Sequence, residues 1–155
     1  MKVLIVYFSK TGHTREAALA ISEGIKEAGS TVNVVGLIEF KADSIGNYDR
    51  IIFGAPCWAG SITKNGVPGP VKKALTALPS ESLKDKPCAA FAIHAIKGGE
   101  NTVKNIGLLL KTKGCSEFTE GPIAKAGTPF SIRKGSSVTP EDLKKFKEFG
   151  AHFIQ

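Results

Sequence analysis

The chain is poor in the residues that staple or anchor a protein. Its 155 residues include three cysteines, Cys57, Cys88 and Cys115, with 30 and 26 residues between successive ones. Spacing this wide suggests neither a disulfide framework nor a clustered metal or iron–sulfur site, so free thiols in a reducing compartment are expected. No apolar run approaches the ~20 residues of a membrane-spanning helix. The first residues show no basic region, apolar signal core or small-residue cleavage site, so the expectation is a soluble, cytoplasmic protein without membrane partners. Neither Gly-x-x-x-x-Gly-Lys-Ser/Thr nor Gly-x-Gly-x-x-Gly occurs, which argues against a nucleoside triphosphate and against a dinucleotide pyrophosphate. Acid is the scarcer charge: 14 Asp and Glu stand against 21 Lys and Arg, a net +7. Such an excess favours acidic partners or simply solubility. A nucleic-acid reader would interleave aromatic and basic residues, and that pattern is absent.

What is present is a regular alternation. The chain reads as one domain, residues 1–155, long enough to bury about two-thirds of its unfolded surface. Apolar runs at 2–8, 31–37, 50–55, 87–93 and, more weakly, 117–123 predict strands, and stretches of helical periodicity lie between them. Helices are predicted at 14–28, with Gly29 as its stop, at 67–78, entered through Pro68 and Pro70, and at 100–113. The last helix has its own start signal: Thr139 as N-cap, Pro140 at the first helical position, and the acids Glu141 and Asp142 in the first turn. Leu143, Phe146, Phe149 and Phe153 then share one face, expected to pack on a sheet. Near-continuous apolar strands joined by helices imply an α/β parallel sheet covered on both faces, and such sheets bind ligands beyond the carboxyl ends of their strands.

Three loops fall at those ends. After the first strand comes Ser9-Lys10-Thr11-Gly12-His13-Thr14, with three side-chain hydroxyls ahead of the unpaired N–H groups of a helix start. A single terminal phosphate suits this turn; Ser9 or Thr11 as an ordinary helix cap suits it equally. After the third strand, Pro56-Cys57-Trp58-Ala59-Gly60 sets the single tryptophan of the chain in a small-residue loop, where it either stacks on a flat ligand or anchors the loop itself. After the fourth, His94-Ala95-Ile96-Lys97-Gly98-Gly99 offers two glycines whose backbone can approach a ligand edge, or a plain helix-entry turn. Cys57 reads as a small packing residue or as a reactive thiol. The segment 124–138 reads as a loop without an assigned purpose.

Together the three loops resemble the flavodoxin-like family of FMN proteins. That resemblance implies a three-layer α-β-α sandwich with a five-stranded parallel sheet in the order 2-1-3-4-5, and FMN as cofactor. It implies that Ser9, Lys10, Thr11, Gly12, His13 and Thr14 hold the FMN phosphate, Lys10 through its backbone N–H. Pro56, Cys57, Trp58, Ala59 and Gly60 would line the ring, and His94, Ala95, Ile96, Lys97, Gly98 and Gly99 would cover its other side and pyrimidine edge. The chain departs from many flavodoxins in lacking a tyrosine and an acidic residue in that third loop. It departs also in charge, since Lys64, Lys72, Lys73 and Lys97 fall on or near the rim, from which a milder reductant than an acidic flavodoxin is expected. The expected role is an electron carrier with redox partner proteins, an acidic ferredoxin-like protein or a reductase. The alternative is an NAD(P)H- or quinone-linked reductase on the same scaffold, towards which Thr11-Gly12-His13 also points.

Overall fold

Burial on both sides explains why the strands read as unbroken apolar runs. Val3, Leu4, Ile5 and Val6 are all buried, with Leu4 and Val6 in the hydrophobic cluster on one face of the sheet and Val3 and Ile5 in the cluster on the other. The structure is a computed structural model that describes residues 1–57, 66–128 and 134–155. Five strands, β1 (Lys2–Tyr7), β2 (Thr31–Gly36), β3 (Arg50–Cys57), β4 (Pro87–His94) and β5 (Glu117–Lys125), pair in parallel in the order β2-β1-β3-β4-β5, as expected. Helices α1 (His13–Glu27) and α4 (Pro140–Phe153) cover one face with Ala17, Ala18, Ile21, Ile25, Phe146 and Phe153. Helices α2 (Gly69–Ala77) and α3 (Gly99–Lys111) cover the other with Val71, Leu75, Val103, Ile106 and Leu110.

The aromatic face of α4 packs on the sheet: the Phe146 ring meets Phe91 edge-on at 5.7 Å, and Phe149 stacks on Phe153 at 5.8 Å. Glycine decides how closely α1 and α4 approach. A methyl at Gly24 would overlap the Lys147 carbonyl, and one at Gly150 would overlap the Ile21 carbonyl, so each helix lends the other a bare backbone at the crossing. Across the same seam Lys147 reaches Glu27 at 2.7 Å, and that hydrogen bond raises the lysine pKa. In the sheet, Gly54 leaves room for the Phe91 ring in the same way.

Two features depart from the predicted pattern. A 3₁₀ turn at Ala42–Asn47, to which the periodicity assigned no element, carries Ile45 into the core. Strand β3 continues past 55 through Pro56 and Cys57, which pair with Ile93 and His94 of β4. Pairing of β1 with β3 ends at Gly54, so beyond that point β3 has a neighbour on one side only and can include a proline.

Candidate functional site

The strand order changes direction between β1 and β3, because the chain steps from β1 outward to β2 and then returns to build β3, β4 and β5 on the other side. Loops leaving neighbouring strands in opposite directions open a crevice, and the turn after β1 stands at its edge. Phe8 N–H donates to the Gly54 carbonyl at 2.9 Å, which holds the exits of β1 and β3 together. The turn closes when Gly12 N–H donates to Ser9 Oγ at 3.0 Å. Gly12 then takes φ 94°, a left-handed conformation that glycine adopts without strain, and α1 begins at His13.

The decisive detail is what α1 does not have. Among the described residues no side chain caps it, and its first backbone bond runs from Glu16 N–H to the Gly12 carbonyl at 3.0 Å. Ser9 thus ties off the N–H of the glycine before the helix, while among the described residues the first-turn N–H groups of His13, Thr14 and Arg15 receive no side-chain cap. A helix N-terminus in this state attracts an anion through directed donors and the helix dipole. Among the described residues there is space as well, since a methyl at Gly12 would meet no atom within 4 Å. Thr11 is half-buried at the turn and Thr14 is buried at its root. The set fits one phosphate monoester.

His13 takes a part that the sequence did not announce. Its ring is buried and donates through Nε2 to the Lys134 carbonyl, and its Nδ1 is buried without a partner among the described residues. The imidazole is therefore committed to the segment after β5, and what His13 offers an anion is its backbone N–H. The described residues flanking it are held in place: Ala126 N–H donates to the His94 carbonyl at 3.0 Å, and Gly127 N–H donates to the Ser136 carbonyl at 2.7 Å.

Register brings Pro56, Cys57 and His94 to the same edge. Cys57 pairs with His94 and His94 with Lys125 across β3, β4 and β5. Cys57 is buried and Pro56 half-buried; Trp58, Ala59, Gly60 and Lys64 lie outside the described residues. His94 accepts a hydrogen bond at Nδ1 from the Gly99 N–H at 3.0 Å, so a neutral ring carries its proton on Nε2 and also closes the start of α3. Gly98, at φ 105°, precedes that helix without a side-chain cap, and Ile96 and Lys97 are exposed in the loop. Thr102, fully buried, had no sequence signal: its hydroxyl donates to the Gly66 carbonyl at 2.8 Å and lies 3.3 Å from the Gly98 carbonyl. It ties the end of the β3–α2 loop to the β4–α3 loop. Cys88 lies at the opposite edge of the sheet, where burial, above all, pushes its thiol pKa far above the ordinary range. Among the described residues no three His, Cys, Asp or Glu side chains converge on a metal position, and no helix is long and apolar enough to cross a membrane.

Comparison with known proteins completes the picture. The family model described as Flavodoxin matches residues 5–131, well over half of the chain. A flavodoxin of Clostridium saccharobutylicum is 32% identical over 103 residues, covering 65% of this chain and 61% of its own. An NAD(P)H dehydrogenase (quinone) of Acidovorax ebreus is 37% identical over 75 residues, covering 36% of this chain and 38% of its own. The chain thus spans about two-fifths of such quinone dehydrogenases and three-fifths of the clostridial protein. In three dimensions a flavodoxin from the domain Archaea superposes with a TM-score of 0.78 at 23% identity, covering 99% of this chain and 96% of that one.

Proposed function

Since the chain belongs to the flavodoxin family, we propose that it binds FMN without a covalent link and serves as a soluble carrier of electrons between other proteins. The observation that carries this reading is the start of α1, which among the described residues has no side-chain cap and open space beside its left-handed glycine, at the edge of the β1–β3 crevice. A phosphate monoester fits that start, and the cofactor's phosphate is one. Ser9, Thr11 and Thr14 hold it with their hydroxyls, Lys10 and His13 with backbone N–H groups, and Gly12, its N–H tied to Ser9 Oγ, shapes the turn around it. The ring is held by Pro56, Cys57, Trp58, Ala59 and Gly60 from one loop and by His94, Ala95, Ile96, Lys97, Gly98 and Gly99 from the other. When bound, the flavin accepts and releases electrons; the protein supplies binding, orientation and electrostatics. Thr102 and the His13–Lys134 link keep the loops around the flavin in place, and His94, its Nδ1 engaged, presents a proton on Nε2 alone. A carrier of this kind acts in the cytoplasm.

The quinone dehydrogenase relatives favour a second reading, in which the protein itself oxidises NAD(P)H and reduces a quinone. One measurement separates the two. Purified protein is saturated with FMN, freed of excess, and its visible spectrum recorded before and after anaerobic addition of NADPH. Retained flavin peaks that do not bleach are the expected result for a carrier that awaits a separate reductase. Bleaching by NADPH alone establishes the reductase, and a colourless protein removes both readings.

A further inference from the structure

Much of the basic excess of this chain lies in the stretch that carries α2 and α3. Between residues 66 and 114, the stretch that holds α2 and α3, eight lysines face three acids, Glu81, Asp85 and Glu100. Helices α1 and α4 instead carry five Lys and Arg against six Asp and Glu. The pairing of these charges differs too. On α4, Lys144 reaches Glu148 at 3.8 Å and Lys145 reaches Asp142 at 3.3 Å, while Lys147 reaches Glu27 of α1 at 2.7 Å. On the other side, Lys72, Lys73, Lys97, Lys104 and Lys111 are exposed and make no ion pair among the described residues.

Four of these lysines stand toward the site. Lys72 and Lys73 lie in the first and second turns of α2, Lys104 in the second turn of α3 and Lys97 in the loop before α3, and both helices begin at the carboxyl edge of the sheet. Two large apolar side chains are exposed with them: Ile96, 64% exposed beside Lys97, and Leu108, 60% exposed one turn after Lys104. A shallow groove of about 440 Å³, lined by Gly69, Lys72, Lys73, Thr76 and Ala77, runs along α2. Apolar positions bordered by like-signed unpaired charges match the build of an interface that selects a partner of opposite charge. Between 66 and 114 there is no arginine, and the one aromatic there, Phe91, is buried. The planar forks and stacking rings that grip phosphates and bases are therefore missing from this face.

We propose that the α2/α3 face is the docking surface for an acidic redox protein, whose carboxylates settle on Lys72, Lys73, Lys97 and Lys104 while an apolar residue covers Ile96. The proposal rests on the electron-carrier reading, because docking there brings the partner to the edge of the sheet where the flavin binds. Its specificity comes from charge and its lifetime is short, as exchange of electrons between many partner molecules requires.

The test is titration of the isotope-labelled, FMN-saturated protein with an acidic plant-type [2Fe–2S] ferredoxin, followed by NMR, with basic cytochrome c, phosphatidylglycerol vesicles and a random-sequence DNA duplex as comparison ligands. The expected result is shift changes at Lys72, Lys73, Ile96, Lys97, Lys104 and Leu108 with ferredoxin, and an affinity that falls about tenfold between low and physiological salt. The triple variant Lys72→Glu, Lys73→Glu, Lys104→Glu should lose this binding and gain affinity for cytochrome c, whereas Lys144→Glu with Lys145→Glu should bind ferredoxin unchanged. Shift changes on α1 and α4, a preference for cytochrome c in the unaltered protein, or binding of vesicles or DNA in place of ferredoxin would overturn the proposal. Flavin retention is read separately from the visible spectrum. Docking without retained flavin supports the surface and removes the carrier reading, and retained flavin without docking does the reverse.

Discussion

Helices α1 and α4 lie side by side and start near the same edge of the sheet, where Glu16, Leu19 and Ala20 of one face Pro140, Leu143 and Lys144 of the other. Their N-termini are finished in opposite ways. On α4, Thr139 Oγ1 accepts from the Asp142 N–H at 3.1 Å, Pro140 has no N–H to satisfy, and Glu141 and Asp142 complement the positive end of the helix dipole. On α1 the corresponding place is a left-handed glycine, no side chain among the described residues caps the turn, and a single acid, Glu16, lies within it. Hydroxyl-bearing residues precede both helices, so composition alone does not separate them. The difference teaches that a cap is a geometric fact: Thr139 sits one residue before its helix and reaches into it, whereas Ser9 spends its oxygen on the Gly12 N–H. One pole is satisfied by its own side-chain cap, and the other has none among the described residues.

That contrast can be tested from the α1 side with the largest effect. Thr11→Val combined with Thr14→Val removes two hydroxyls from a charged acceptor, and FMN binding, measured by fluorescence titration, is expected to weaken by about 3 kcal/mol. Unchanged affinity would erase the distinction between the two poles. A somewhat smaller effect is expected at the seam between the helices. Gly150→Ala sets a methyl on the Ile21 carbonyl, and the forced separation should lower the stability seen in urea unfolding by about 1–3 kcal/mol. The smallest effect belongs to the capped pole: Thr139→Ala should cost about 1 kcal/mol of stability and leave FMN affinity as it was. A loss of affinity there would show that α4 also serves the ligand.

The layout of the sheet was legible because strands buried on both faces leave a contiguous apolar record, and α4 was legible because its cap, proline and acids are adjacent in the chain. The candidate loops could be found for a similar reason, each following directly on a strand. Pro56 and Cys57 did not read as strand because proline argues against pairing, and it takes the early end of β1 to make them acceptable. Ile45 gave no period because a six-residue 3₁₀ stretch is too short to show one.

Local order in the chain therefore determined the elements, their sequence, the loops at the carboxyl edge and the sign of the net charge. Tertiary structure alone decided the rest, since each remaining feature joins residues far apart in the chain: His13 to Lys134, Thr102 to Gly66, Gly24 to Lys147. It also decided which lysines are met by acids and which face solvent, because pairing depends on distance in space, and the linear order of charges does not contain it.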